Sequence, residues 1–228
     1  MRFGDVAARL SALPDELPDG PPDLIPVLAS TGTVRPRFDP GPGEPRPAAV
    51  LVLVYPDDDG EAHVLLTERV DRGGHHSGEV SFPGGRAEDD DENLVATALR
   101  EAAEEVGLDP VAAGVRVIGT LPPLTIPVSN YAVTPVVALA ERRPELVASP
   151  VEVARILHVP VDAFLPSAPR DRVEREIRGW LVRYSAYPVE GLSVWGMTAR
   201  VLGGLGALLS DVPAAAADQP GPRPPDRR

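Results

Sequence analysis

Three glutamates fall within five positions of the stretch "REAAEEVGL", Arg100 to Leu108, and this density of carboxylate is the first chemistry the chain offers. Helical geometry at ~100° per residue places Glu101, Glu104 and Glu105 on one arc and Val95, Leu99, Ala102 and Val106 on another. Like charges three and four apart destabilise a helix by about a few tenths of a kcal/mol per pair, and a solvated acidic face is the ordinary reading of such a cluster. A divalent cation reverses the sign, because hard Mg²⁺ takes oxygen ligands and is commonly shared between a few carboxylates and substrate phosphates. Spacing alone leaves both readings open.

The neighbouring residues narrow the choice. The run "GGRAEDDDENLVATALREAAEEVGL" resembles the signature of the Nudix hydrolases: Gly, five residues, Glu, seven residues, then R-E-u-x-E-E-x-G-u with u aliphatic. Glu92, Arg100, Glu101, Glu104, Glu105, Gly107 and Leu108 match. Two departures stand out: six residues separate Gly85 from Glu92, and Ala102 is small for an aliphatic position. The resemblance implies an α+β fold, an α/β/α sandwich with a mixed sheet, and a metal-dependent hydrolase that cleaves a diphosphate with Mg²⁺ or Mn²⁺. It also implies that Glu104 and Glu105 are metal ligands, that Glu101 is a ligand or a base, and that Arg100 and Glu92 hold loop and helix together.

Upstream, "LLTERVDRGGHHSGEVSFPGG" is similar to the additional motif of the coenzyme A diphosphatase branch, matching at Leu65, Leu66, Thr67, Arg69, His76, Gly78, Phe82, Pro83, Gly84 and Gly85. This likeness implies a substrate-binding set of Arg69, Arg72, His76, Phe82, Gly84 and Gly85, with cleavage of coenzyme A or its derivatives to 3',5'-ADP and (acyl-)phosphopantetheine. Gly73 and Gly74 replace the branch's usual Leu-Arg pair, and Glu79 replaces a glutamine. Loss of a guanidinium removes a bidentate phosphate clamp; Arg72 is close enough in sequence to substitute. The rival readings are a Nudix hydrolase of another nucleoside diphosphate derivative and a nucleotide-sensing module without activity. Intact Glu101, Glu104 and Glu105 argue against the latter.

These residues need a scaffold. "AAVLVLVY" and "AHVLLTE", split by the turn-rich "PDDDGE", read as a β-hairpin. A helix is expected over Glu92 to Val106, with Asp89, Asp90 and Asp91 before its positive end and Gly107 as a left-handed cap. Further strands are expected at "VRVIGTL", "YAVTPVVAL", "ARILHVPV" and "REIRGWLVRYSAY", then a helix over "GMTARVLGGLGALL". The expected division is residues 1–46 as an N-terminal helix with a Pro/Gly-rich arm, 47–211 as the Nudix-like domain, and 212–228 as a disordered tail.

Composition sets outer bounds. With 228 residues and 43 % hydrophobic content, one substantial core is expected. A net charge of −12 argues against a basic nucleic-acid surface, so the expected partner is a small molecule, coenzyme A or a related nucleotide. No apolar run approaches the roughly 20 residues of a membrane span. Cysteine is absent, and a cytoplasmic location is expected. The sequence leaves monomer and homodimer open. Of the remaining candidates, His75 and His76 lack a third ligand for zinc, "DDD" at 57–59 reads as a solvated turn, Glu152 matches an acidic position of the same branch, and Trp180 and Trp195 are expected in the core.

Overall fold

The computed structural model describes residues 1–34, 43–71, 79–126, 130–177 and 179–210. The chain runs through α1 (Phe3–Leu10), β1 (Val27–Leu28), β2 (Arg46–Pro56), β3 (Ala62–Arg69), β4 (Val80–Ser81), β5 (Gly84–Arg86), α2 (Leu94–Val106) and α3 (Pro110–Ala113). It continues through β6 (Val115–Thr120), β7 (Leu124–Ile126), β8 (Tyr131–Ala140), β9 (Val153–Pro160), β10 (Asp171–Ile177), β11 (Trp180–Val189), β12 (Leu192–Val194) and α4 (Gly196–Leu209).

Strand β2 explains the layering. Every residue from Ala48 to Tyr55 is buried, so this strand needs cover on both faces. Ala48, Val50, Val52 and Val54 join one apolar cluster with Val6 and Leu10 of α1 and Val201, Leu202 and Leu205 of α4. Ala49, Leu51, Leu53 and Tyr55 join a second cluster with Ala98, Ala102 and Val106 of α2. Alternation along one strand thus builds both layers of an α/β/α sandwich. The central sheet has eight strands in the order β4-β3-β2-β8-β6, with β5 added to β2, β7 to β8 and β9 to β3. It is mixed: β2 and β8 pair in parallel from Arg46↔Tyr131 to Val54↔Leu139, and the other pairings are antiparallel. A smaller antiparallel sheet holds β1, β11 and β10 in that order, with β12 also on β11.

Several local outcomes differ from the sequence reading. Helix α2 begins at Leu94 rather than Glu92, because the Asn93 side chain accepts the Val95 and Ala96 N–H groups and ends the preceding loop. Gly107 closes the helix in the left-handed region at φ 65°, as expected. The segment "REIRGWLVRYSAY" contains a turn and belongs to two strands, β10 and β11. Trp180 begins the second of these and is 44 % exposed, not core; Trp195 is half-buried and stacks on Tyr184 with centroids 5.2 Å apart. The glycines of α4 have a packing role: a Cβ at Gly206 would collide with the Phe164 carbonyl. Among the described residues no helix is long and apolar enough to cross a membrane. The tail 212–228 lies outside the described residues.

Candidate active site

The site begins where the edge of the central sheet meets α2. Strand β5 pairs with β2 from Ala48↔Arg86 to Val50↔Gly84, which lays the Gly84-Gly85 backbone beside the acidic side of the helix. The Gly84 N–H donates to Glu105 Oε2 at 3.2 Å. A Cβ at Gly85 would collide with the Glu101 carboxylate, and one at Gly84 with the backbone of Ala49 and Val50. Both glycines permit close approach of backbone to acid or backbone to strand, which no other residue type would allow.

Glu105 departs from the helical-wheel expectation. The wheel separates all three acids from the core face, yet Glu105 is only 2 % exposed. Its arc borders that of Ala98, and the Gly84 backbone closes over it. Burial is the largest influence on its carboxyl, which is pushed up to about 7 despite the Arg69 charge and the Gly84 N–H; Glu101 and Glu152 push the same way. Arg69 Nη1 stands 3.7 Å from Glu105 Oε1, an ion pair rather than a hydrogen bond. The Glu101 carboxyl is also raised, by burial first; Arg100 opposes this, while Glu104 and Glu152 add to it. Glu104 is the outermost of the three, with its side chain 59 % exposed.

Arg100 occupies the centre of the loop-helix junction with all five N–H groups engaged. Nε and Nη2 each donate to an Asp91 oxygen at 3.0 Å, Nη2 also reaches the Arg86 carbonyl at 3.0 Å, and Nη1 reaches Glu101 at 3.2 Å and Glu104 at 3.1 Å. Asp91 further accepts the Thr97 hydroxyl at 2.9 Å and the Glu88 N–H at 2.9 Å. Its hydrogen bonds to Arg100 hold its carboxyl well below the usual carboxylate range.

This corrects the assignment of Glu92. Glu92 is exposed, and Asp91 makes the ion pair with Arg100. Counting from the other side reveals the signal: five residues separate Gly85 from Asp91, so the extra residue lies after the acid and not before it. Phe82 is 1 % exposed and packs in the apolar cluster shared with α1 and α4, so its ring belongs to the core rather than to an open substrate-binding surface. Arg72, Gly73, Gly74, His75, His76 and Gly78 lie outside the described residues. Glu152 is exposed, and its charge bears on both Glu101 and Glu105.

The structure therefore brings Glu101, Glu105, Arg69, Gly84, Gly85 and Arg100 together, with Glu104 at the rim. The donor set is oxygen only, which suits a hard divalent cation. In the present rotamers Glu104 is turned to Arg100, and among the described residues no three acidic or histidine side chains are gathered round one point.

A glycine loop closing on an acid-rich helix over a mixed sheet defines a class, and comparison with known families agrees: the NUDIX domain model matches residues 45–181. The chain belongs to the Nudix family. "Nudix hydrolase 15, mitochondrial" of Arabidopsis thaliana is 38 % identical over 170 residues, 72 % of this chain, which spans only 59 % of that protein's length. "Uncharacterized Nudix hydrolase NudL" of Cronobacter sakazakii is 36 % identical over 200 residues, 86 % of this chain and 99 % of that protein. The crystal structure of the M. smegmatis Nudix hydrolase RenU superposes with a TM-score of 0.44 at 28 % identity, covering 53 % of this chain and 73 % of that one.

Proposed function

We propose that this chain is a metal-dependent diphosphatase whose substrate is coenzyme A or one of its derivatives. The observation that carries the reading is the junction of two sequence motifs in space. Arg69, from the motif similar to the coenzyme A branch, faces Glu105 of the glutamate helix at 3.7 Å, and Gly84 of the same motif donates to that glutamate. The loop that would choose the substrate is thus physically continuous with the carboxylates that would serve the reaction.

Glu101, Glu104 and Glu105 are the residues that would hold Mg²⁺ or Mn²⁺, which when bound screens the diphosphate oxygens and favours attack at phosphorus. Arg100 fixes the acidic side of the helix against β5, so the carboxylates keep their place as the substrate arrives. Arg69 would supply positive charge beside the phosphates; the motif likeness adds Arg72 and His76, which lie outside the described residues, to the substrate-binding set. Hydrolysis adds water across one P–O bond of the diphosphate. A carboxylate of this face takes the water's proton, and the two phosphate-ended products separate as 3',5'-ADP and phosphopantetheine.

The test is to incubate the purified protein with Mg²⁺ or Mn²⁺ and, in turn, coenzyme A, dephospho-coenzyme A and a panel of other nucleotides, resolving products by chromatography. A charge-assisted contact to the 3'-phosphate is worth ~1.5–3 kcal/mol, so dephospho-coenzyme A should be roughly ten- to hundred-fold poorer in kcat/KM. Equal values, or preference for another nucleoside diphosphate derivative, would overturn the coenzyme A reading while leaving the diphosphatase reading intact.

A further inference from the structure

Among the described residues strand β10 is the edge of the smaller sheet, paired with β11 alone, and its register from Asp171↔Ala186 to Ile177↔Trp180 is regular throughout. Five of its seven residues are exposed, and Val173 and Ile177 are half-buried. The edge of the central sheet at β6 differs, because a register shift between Val117 and Gly119 interrupts its pairing. An unbulged edge without proline or glycine presents a row of backbone donors and acceptors to any strand that can match it.

The charges of β10 say which strand that is. The sequence runs Asp171, Arg172, Val173, Glu174, Arg175, Glu176, Ile177. In an antiparallel pair, opposed residues share both a face and a hydrogen-bonding class, so a two-fold pairing of β10 with itself must be centred on a residue. Centres on Val173, Glu174 or Arg175 pair at least five residues of the strand. A centre on Glu174 opposes it to its own copy, and a centre on Arg175 opposes Arg175 to Arg175 and Glu174 to Glu176. Only the centre on Val173 sets no like charges together: Arg172 faces Glu174 twice, Asp171 faces Arg175 twice, and Val173 meets Val173. Charged residues on an edge ordinarily deter pairing, but here their order favours one partner and one register.

We infer that β10 is a homodimer interface, with two copies of this chain joined edge to edge into a continuous sheet about a two-fold axis at Val173. Among the described residues Asp171 and Arg172 have no ion-pair partner within the chain. Glu174 pairs with Arg183 at 2.6 Å, and Arg175 lies over the Trp195 ring at 4.6 Å; both are already ordered for a second contact. The same face of β10 that would receive the partner's Val173 continues into the apolar cluster of Val182, Tyr184 and Ala186.

Sedimentation equilibrium with the full chain tests this. The wild type should dimerise below about 0.1 mM, and about 0.5 M NaCl should weaken the dimer because its ion pairs are exposed. Arg172→Glu and Glu174→Arg should each weaken self-association about ten-fold or more. Each creates like-charge pairs with its own copy, yet when the two variants are mixed every opposed pair becomes complementary, so a heterodimer should form. The double variant Arg172→Glu/Glu174→Arg should regain self-association. Circular dichroism confirms folding of each. A wild type that stays monomeric at about 0.1 mM, a dimer indifferent to Arg172→Glu, or folded single variants that do not combine on mixing would overturn the inference.

Discussion

Asp91 and Glu105 are carboxylates served by arginines at the same helix, and their surroundings drive them in opposite directions. Asp91, at the start of α2, takes two hydrogen bonds from a guanidinium, one from a hydroxyl and one from a backbone N–H, and its carboxyl is held well below the usual range. Glu105, near the end of the helix, has one backbone N–H and a guanidinium 3.7 Å away, and its carboxyl is pushed up to about 7. The closest guanidinium in the site is committed to the scaffold. The buried acid is left under-compensated, and buried charge is costly until a partner arrives. Hydrogen bonds secure the acid before the helix, while the acid near its end is left with little compensation.

The comparison can be broken most severely at Glu105. Glu105→Gln should lower kcat about a hundred-fold or more with the fold retained, since it removes a proposed ligand and also relieves a buried charge; steady-state kinetics alongside circular dichroism read both. Near-normal turnover in the folded variant would refute the metal assignment. Asp91→Asn should be the next largest, about ten-fold in activity through loss of the Arg100 anchor, together with a lower Tm. Glu92→Gln should leave rate and Tm unchanged, and a reversal of this order would restore Glu92 to the role the sequence first suggested.

Metal should act in the same sense. Mg²⁺ or Mn²⁺ at about 100 times its Kd should stabilise the wild type by about 2.7 kcal/mol, seen as a rise in Tm reversed by chelator, and Glu105→Gln should lose most of that rise. The smallest expected effect concerns acid. A carboxyl whose folded pKa is depressed contributes stability that is present above its unfolded value, near 3.8 for Asp91, and is lost as pH falls through the folded value. The Tm difference between wild type and Asp91→Asn should therefore be full at neutral pH and narrow below pH 3.8; a difference that widens in acid would show that the Arg100 ion pair is not its source.

Much of this was legible beforehand, for identifiable reasons. The apolar run of β2, the amphipathic period of α2 and the Gly107 cap are local signals, and each matches the structure. Asp91 and Glu92 are adjacent acids, and choosing between them depends on where Arg100 reaches, a fact of three dimensions. The burial of Glu105 arises because β5, some twenty positions earlier in sequence, folds over it. Phe82 lies in a loop motif, yet the apolar layer beneath claims its ring. Trp180 looked like core from its residue type alone, and its place beside the turn keeps it in solvent.

The parallel pairing of β2 with β8 also governs how the protein is made. Arg46 pairs with Tyr131, and the intervening chain must be synthesised before the two central strands can meet. At roughly 5–20 residues per second on the ribosome, β2 waits on the order of 4–17 seconds for β8. Hairpin closure with β3 can begin early, but it joins only Val54 to Pro56 of β2 directly. The strand shared by both layers thus lacks its long parallel neighbour during that interval, when the nascent chain is exposed to aggregation through "AAVLVLVY".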